Sequence, residues 1–265
     1  MTKVLSLIVV FVSALGQQGP AGPASGVALK ASIRLTIAKS EASADGPASP
    51  YDNFGPIVAR LVTPDGPVDI QYLIAPDESR AELRGRLAAL NSGTVVLERA
   101  GDEMLRVLNG ENKTWYEIPA GDNPGAALGT PDVDIEPTTD VATIAGQTAK
   151  RYVFTETLHV PPPQGAALPP DFPADLTLSG DLWTTDAFAG SGYAGVIKTL
   201  QAFAAIPGID ALTAGGRFPL RLVLRSNVMP GYEIRSEVTA LREVPVDAAA
   251  FRVPAGYQHV VAPGR

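Results

Sequence analysis

The stretch from Phe218 to Ala240, FPLRLVLRSNVMPGYEIRSEVTA, decides how the rest of the chain is read. Phe218, Leu220, Leu222 and Leu224 alternate with Arg221, Val223 and Arg225, and Tyr232, Ile234, Ser236 and Val238 alternate with Glu233, Arg235, Glu237 and Thr239. A period of two is the signature of a strand with one dry and one wet face. Asn227 to Gly231, between the two runs, reads as a hairpin connection. Its closure would set the arginine row against the glutamate row, giving cross-strand charge pairs on the solvent face.

The same beat extends outward in both directions. Ile33, Leu35 and Ile37 alternate with Ser32, Arg34 and Thr36, and Ala81, Leu83, Gly85 and Leu87 alternate with Arg80, Glu82, Arg84 and Arg86. Further strands are predicted over Ile57–Thr63, Val68–Ile74, Thr94–Arg99, Glu103–Leu108, Lys113–Ile118, Gln147–Leu158 and Leu176–Thr184. Pro64-Asp65-Gly66, Ala100-Gly101-Asp102 and Asn109-Gly110-Glu111-Asn112 separate neighbours by hairpin-length turns. Parallel pairing would need long helical crossovers, for which there is no room, so the architecture is an antiparallel meander. Gly121–Thr139 and the proline-rich Pro161–Pro173 read as the two long irregular connections. One segment breaks the beat: Tyr193, Val196, Ile197, Leu200, Phe203 and Ala204 recur at helical spacing before Pro207 and Gly208, predicting an amphipathic helix over Gly192–Ala205. The fold class is mainly β with an α+β character, a large curved antiparallel sheet covering one main amphipathic helix.

The chain has 265 residues, 45% of them hydrophobic, which suffices for a substantial core. It opens with Lys3 and an apolar run from Val4 to Leu15, followed by Gly16 to Pro20. That run is too short to span a bilayer and reads as a cleaved export signal. Residues 1–26 are therefore expected to be signal peptide and spacer, with 27–265 a single domain that is periplasmic or extracellular and soluble after cleavage. The absence of cysteine excludes a lipidated amino terminus, disulfides and thiolate chemistry.

Twenty-one Lys and Arg against 28 Asp and Glu give a formal net charge of -7, with no positive field to collect nucleic acid. Two histidines, His159 and His259, cannot build a three-histidine metal site. Gly190, Gly192 and Gly195 match the spacing of a dinucleotide fingerprint, but they lack the parallel strand-helix-strand setting that gives it meaning, and are read as a flexible helix entry. The acidic run Asp132, Asp134, Glu136 and Asp140 lacks the glycine and closing glutamate of a calcium loop and is read as a solvated loop. Asn112-Lys113-Thr114 matches a glycosylation sequon and is read as chance. No nucleophile elbow, zinc-protease helix or phosphate loop occurs anywhere in the chain. The expectation is a non-enzyme with no cofactor and no metal.

Four segments in order carry a resemblance: DEMLRVLNGENKTWYEIP at Asp102–Pro119, ATIAGQTAKRYVF at Ala142–Phe154, GDLWTTD at Gly180–Asp186 and PVDAAAFRVPAGYQ at Pro245–Gln258. Their order resembles that in a family of exported bacterial proteins similar to the periplasmic outer-membrane lipoprotein carrier protein and its relatives. The resemblance covers about Leu29 to Gln258 and implies an incomplete antiparallel β-barrel wrapped around helices. It also implies binding of something hydrophobic, such as a lipid or the acyl chains of a lipoprotein. No functional residue of the carrier family maps onto this chain, and the proline-rich loop departs from the carrier pattern.

From the residues themselves, Ile144-Ala145-Gly146 reads as a turn opening a strand with Tyr152 and Phe154, and Asp247–Ala250 as a short helical turn after which Phe251 plugs the barrel end. The aromatic and apolar residues Trp115, Trp183, Tyr193, Val196, Ile197, Leu200 and Phe203 are the candidates to line an apolar groove between sheet and helix, the alternative being that they fill a core. The leading expectation is an exported binding protein whose partner is a hydrophobic small molecule, a lipid or an acylated protein, with peripheral membrane contact. The alternative is a cell-envelope interaction or sensor module with a solid core and no ligand, acting through its acidic surface or a sheet edge.

Overall fold

A computed structural model describes residues 27–40, 51–99, 102–119, 132–159, 175–188 and 217–262. In chain order these form β1 (Val27–Lys39), α1 (Phe54–Val62), β2 (Val68–Ile74), β3 (Glu78–Arg84), β4 (Thr94–Arg99), β5 (Met104–Asn109) and β6 (Thr114–Pro119). There follow β7 (Asp132–Ile144), β8 (Gln147–His159), β9 (Asp175–Thr185), β10 (Phe218–Ser226), β11 (Tyr232–Pro245), a 3-10 turn (Ala248–Phe251) and β12 (Gln258–His259). All twelve strands belong to one sheet in the order β12-β6-β5-β4-β3-β2-β1-β11-β10-β9-β8-β7. Two antiparallel meanders, β2 to β6 and β7 to β11, are joined through β1, which pairs with β2 on one side and β11 on the other. The sheet does not close on itself: β7 and β12 are its two edges.

The turns follow from their residues. Ala145 and Gly146 both have positive φ (47° and 79°) in the two-residue link between β7 and β8, the geometry whose twist matches paired strands. In the β5–β6 turn the Asn109 side chain accepts from the Glu111 backbone N–H at 2.9 Å. Across the β10–β11 hairpin the expected charge pairs form, Arg221 with Glu237 at 2.9 Å and Arg225 with Glu233 at 3.2 Å.

Alternation sorts β1 and β2 into two faces. Leu29, Ala31, Ile33, Val68, Ile70, Tyr72 and Ile74 are buried on one, and α1 lies there, adding Val58 and Val62 to the same cluster. This is the inner face. The large Tyr232 ring fixes the helix's closest approach, because a Cβ at Gly55 would overlap it. The other face carries charge: Arg34 pairs with Asp69 at 2.7 Å, and Asp181 takes both Arg151 and Arg225.

Two segments differ from the expectation. Ile57–Thr63 is not a strand but most of α1. Its β-branched residues suggest a strand, yet Gly55, Val58 and Val62 are the buried positions, at helical spacing. Pro56 falls in the first turn, where a backbone donor is not needed. The acidic run at Asp132, Asp134 and Glu136 is not a loop but the start of the thirteen-residue β7. Val133 and Ile135 alternate with these acidic residues and are half-buried, but the beat is two residues long and is interrupted at Pro137, where the pairing with β8 shifts register. The predicted helix Gly192–Ala205, the glycine fingerprint, the amino-terminal segment and the proline-rich loop lie outside the described residues.

The chain returns across the outer face after β11. The Asp247 carboxylate caps the 3-10 turn by accepting from the Ala249 N–H, and Phe251, 3% exposed, packs with Ala28 and Ala75. The sequence predicts Phe251 as a plug at the barrel end; it is buried, but against the outer face of β1 and β2, because the chain returns across that face and the sheet has no closed end to fill. Arg252 then pairs with Glu78, and Gln258 and Val260 donate to the Lys113 and Trp115 carbonyls, each at 2.9 Å, so that β12 covers part of the β6 edge in parallel.

Candidate functional site

A second apolar cluster sits on the inner face of the β7–β11 meander. Phe154, Leu182, Leu222 and Leu224 are buried, with Ile135, Leu178 and Ile234 packed against them. Direct pairing aligns Ile37, Ile234, Leu224, Gly180, Phe154 and Ile135 in one row across six strands, from β1 to β7. Gly180 is the one member without a side chain, and it is there because a Cβ would overlap the Val223 carbonyl oxygen of β10. The row is continuous with the residues under α1, since Ile234 touches both clusters.

One residue on this strip does not match its surroundings. Glu156 lies on β8 in phase with Phe154 and Leu158, opposite Val133 of β7 and Leu178 of β9. It is 0% exposed, and neither carboxylate oxygen has a hydrogen-bond partner among the described residues. Burial pushes its carboxyl up to about 8, so at neutral pH it is mostly the uncharged acid. Four residues along β8, Tyr152 marks the other end of the strip: its hydroxyl accepts from Arg217 Nη1 at 2.8 Å, and the Arg217 guanidinium stands 4.9 Å from the centre of its ring. The strip thus runs from a cation-bearing end, through leucines and a phenylalanine, to a bare carboxyl.

The sequence-based candidates fall in three places. Trp115, on β6, is on the outer face, where it joins the cluster of Val95, Leu97 and Leu108 beneath Val253 and Tyr257 and stacks on His259 at 4.3 Å. Trp183 pairs directly with Arg151 and Arg221, so it shares their charged face and stands 5.8 Å from the Arg221 guanidinium while partly buried at the margin of the main core. Neither tryptophan is brought onto the strip. Tyr193, Val196, Ile197, Leu200 and Phe203 lie outside the described residues. Sequence reasoning misses Glu156, although a signal exists: in FTETL, Phe154, Glu156 and Leu158 share one parity and Thr155 and Thr157 the other, which places a carboxylate on the apolar face. Among the described residues no group of His, Asp or Glu is arranged to hold a metal ion, and no helix is long and apolar enough to cross a membrane.

No family model matches the chain, and no curated protein does. Among solved structures, an uncharacterised conserved protein from Thermus thermophilus is similar at 10% identity and a TM-score of 0.42, covering 98% of each chain. A LolA superfamily protein from Nitrosomonas europaea is similar at 9% identity and a TM-score of 0.32, over 85% of this chain and 90% of that one. Likeness at this level leaves the reading of the site to its own residues.

Proposed function

We propose that the protein is an exported, non-enzymatic binding protein that holds a hydrophobic ligand, a lipid or an acyl chain, between the inner face of β8–β11 and the segment Gly192–Ala205. The amino-terminal segment acts as the export signal, and residues 27–265 form the binding unit. The observation that carries the reading is the second apolar cluster: the inner face of the open sheet has two, and among the described residues a helix packs on only one of them. The spacing of Tyr193, Val196, Ile197, Leu200 and Phe203 supplies an apolar face for the other. An acyl chain between them leaves water, each buried methylene contributing about 0.8 kcal/mol, so a long chain is retained without covalent attachment. Trp115 and Trp183, on the opposite face, have no part in this slot.

The test is native mass spectrometry of the exported protein, as purified and after solvent extraction, with uptake measured from added fatty alcohol and phospholipid. A one-to-one adduct that extraction removes is the expected result, together with its loss in Phe203→Glu if that variant folds. A clean protein mass with no uptake from any added lipid would overturn the reading.

A further inference from the structure

We infer that Glu156 is the anchor for the head of the bound molecule, and that this head is a primary amine: the ligand is a cationic amphiphile whose tail lies along the leucines of the strip. The inference rests on the slot proposed above and adds the chemistry of its polar end.

A carboxyl with no exposure and two bare oxygens does nothing for the fold. Leucine at the same position would continue the Phe154–Leu158 side of β8, and a buried polar group without a partner is destabilising. Such a group is therefore accounted for by what it meets when the slot is filled. The neighbours opposite it, Val133 and Leu178, offer no side-chain donors, and among the described residues no other group bonds to it, which leaves the ligand as the partner of this inference. An ammonium supplies donors to both oxygens and a charge to pair with the carboxylate, which are the strongest hydrogen bonds available in an apolar site. A hydroxyl can pair with the uncharged acid but brings no charge to strengthen the bond, and a fatty acid carboxylate can only accept from the protonated side chain, leaving its carbonyl oxygen bare.

The apolar side chains of the strip set the orientation. The amine is directed to Glu156 and the alkyl chain toward Phe154, Leu182 and Leu222.

The proton balance gives the inference a signature of its own. In the empty slot Glu156 carries its proton at neutral pH. An alkylammonium ion that binds to the carboxylate displaces that proton to solvent: R–NH3+ plus the protonated side chain gives the ammonium–carboxylate pair plus H+. One proton is released per molecule bound, and affinity rises by roughly tenfold per pH unit until the empty carboxyl is itself ionised.

The experiment is titration calorimetry of the delipidated protein with dodecylamine, dodecanol and dodecanoic acid below their aggregation concentrations, in two buffers of different ionisation heat. The amine should bind tightest, by roughly tenfold or more over the alcohol, and should alone release a proton. In Glu156→Gln the amine-to-alcohol ratio should fall to near one and the proton release should vanish. Glu156→Leu serves the same purpose should the glutamine variant fail to fold. Equal affinity for amine and alcohol in the native protein, or proton release that survives both substitutions, would overturn the inference while leaving the slot in place. Failure of all three amphiphiles to bind would overturn the slot and the anchor together.

Discussion

The buried carboxyl of Glu156 makes a prediction about stability that is independent of any ligand. In the unfolded chain the group ionises at its ordinary value of 4.5, whereas in the fold it does so near 8. Between these limits the unfolded state has lost a proton that the native state keeps, so stability falls as pH rises, by about 1.4 kcal/mol per pH unit. This is the reverse of an acid-labile salt bridge: the contribution is fully present below pH 4.5 and is lost as pH climbs toward 8. The whole interval corresponds to about 5 kcal/mol, an upper figure because water entry or local opening relieves part of it. Against a total stability of about 5 to 15 kcal/mol for a domain, such a loss is readily measured. Other groups also titrate, including Asp69, held below the usual carboxylate range by its hydrogen bond to Arg34, so the informative quantity is a difference between two proteins. Urea unfolding midpoints of the delipidated native protein and of Glu156→Gln should be measured at several pH values between about 5 and 8. The native unfolding free energy should drop with pH relative to that of the variant, by about 2 to 4 kcal/mol over that range, with the midpoint falling in step, and Glu156→Leu should be the more stable protein at the upper end. Parallel midpoint-against-pH curves for native protein and variant would refute the reasoning, because they would mean that the carboxyl is hydrated or paired in the fold.

Two further outcomes test the architecture around the strip. Gly180→Ala places a methyl group into the Val223 carbonyl oxygen and 3.2 Å from Leu224 Cα, backbone atoms that cannot swing aside, so β9 and β10 must separate locally. A loss of about 1 to 3 kcal/mol in chemical denaturation is expected, as for other overpacked interior sites, and an unchanged midpoint would show that the two strands have slack. Truncation after Pro254 removes β12 and uncovers the β6 edge at Thr114 and Trp115. Self-association on sizing chromatography at raised concentration should follow; a truncated protein that stays monomeric would mean that the tail does not guard this edge.

The strands are legible because alternation is a local property. A run such as Phe218-Pro-Leu-Arg-Leu-Val-Leu-Arg has only one way to put its leucines together, and its hairpin partner follows from Asn227–Gly231. Val68–Ile74 and Thr94–Arg99 coincide with β2 and β4 for the same reason. Where the local pattern carries less, the reading fails. Ile57–Thr63 has the β-branched content of a strand, but it packs as α1 because tertiary contact with β1 rewards helical spacing of Gly55, Val58 and Val62. The edge strand β7 hides behind its acidic residues, since the beat of Val133 and Ile135 is short and stops at Pro137.

What the sequence by itself determined is most of the sheet: the strands with a sustained beat, their antiparallel pairing, and which parity of each is dry, but not β7, the helix α1 or the parallel β12. The tertiary structure decided which way each dry parity faces and what covers it. Trp115 and Phe251 are apolar in any reading, but it is the returning tail that covers Trp115 and carries Phe251 on the outer face, which no periodicity encodes. Glu156 stands in phase with Phe154 and Leu158 in the sequence, and only the burial of that side of β8 turns a carboxylate into an uncharged, unpartnered acid. The physical reason is common to these cases: alternation is set by the backbone of one strand, whereas the dielectric around a side chain is set by segments distant in the chain that fold over it.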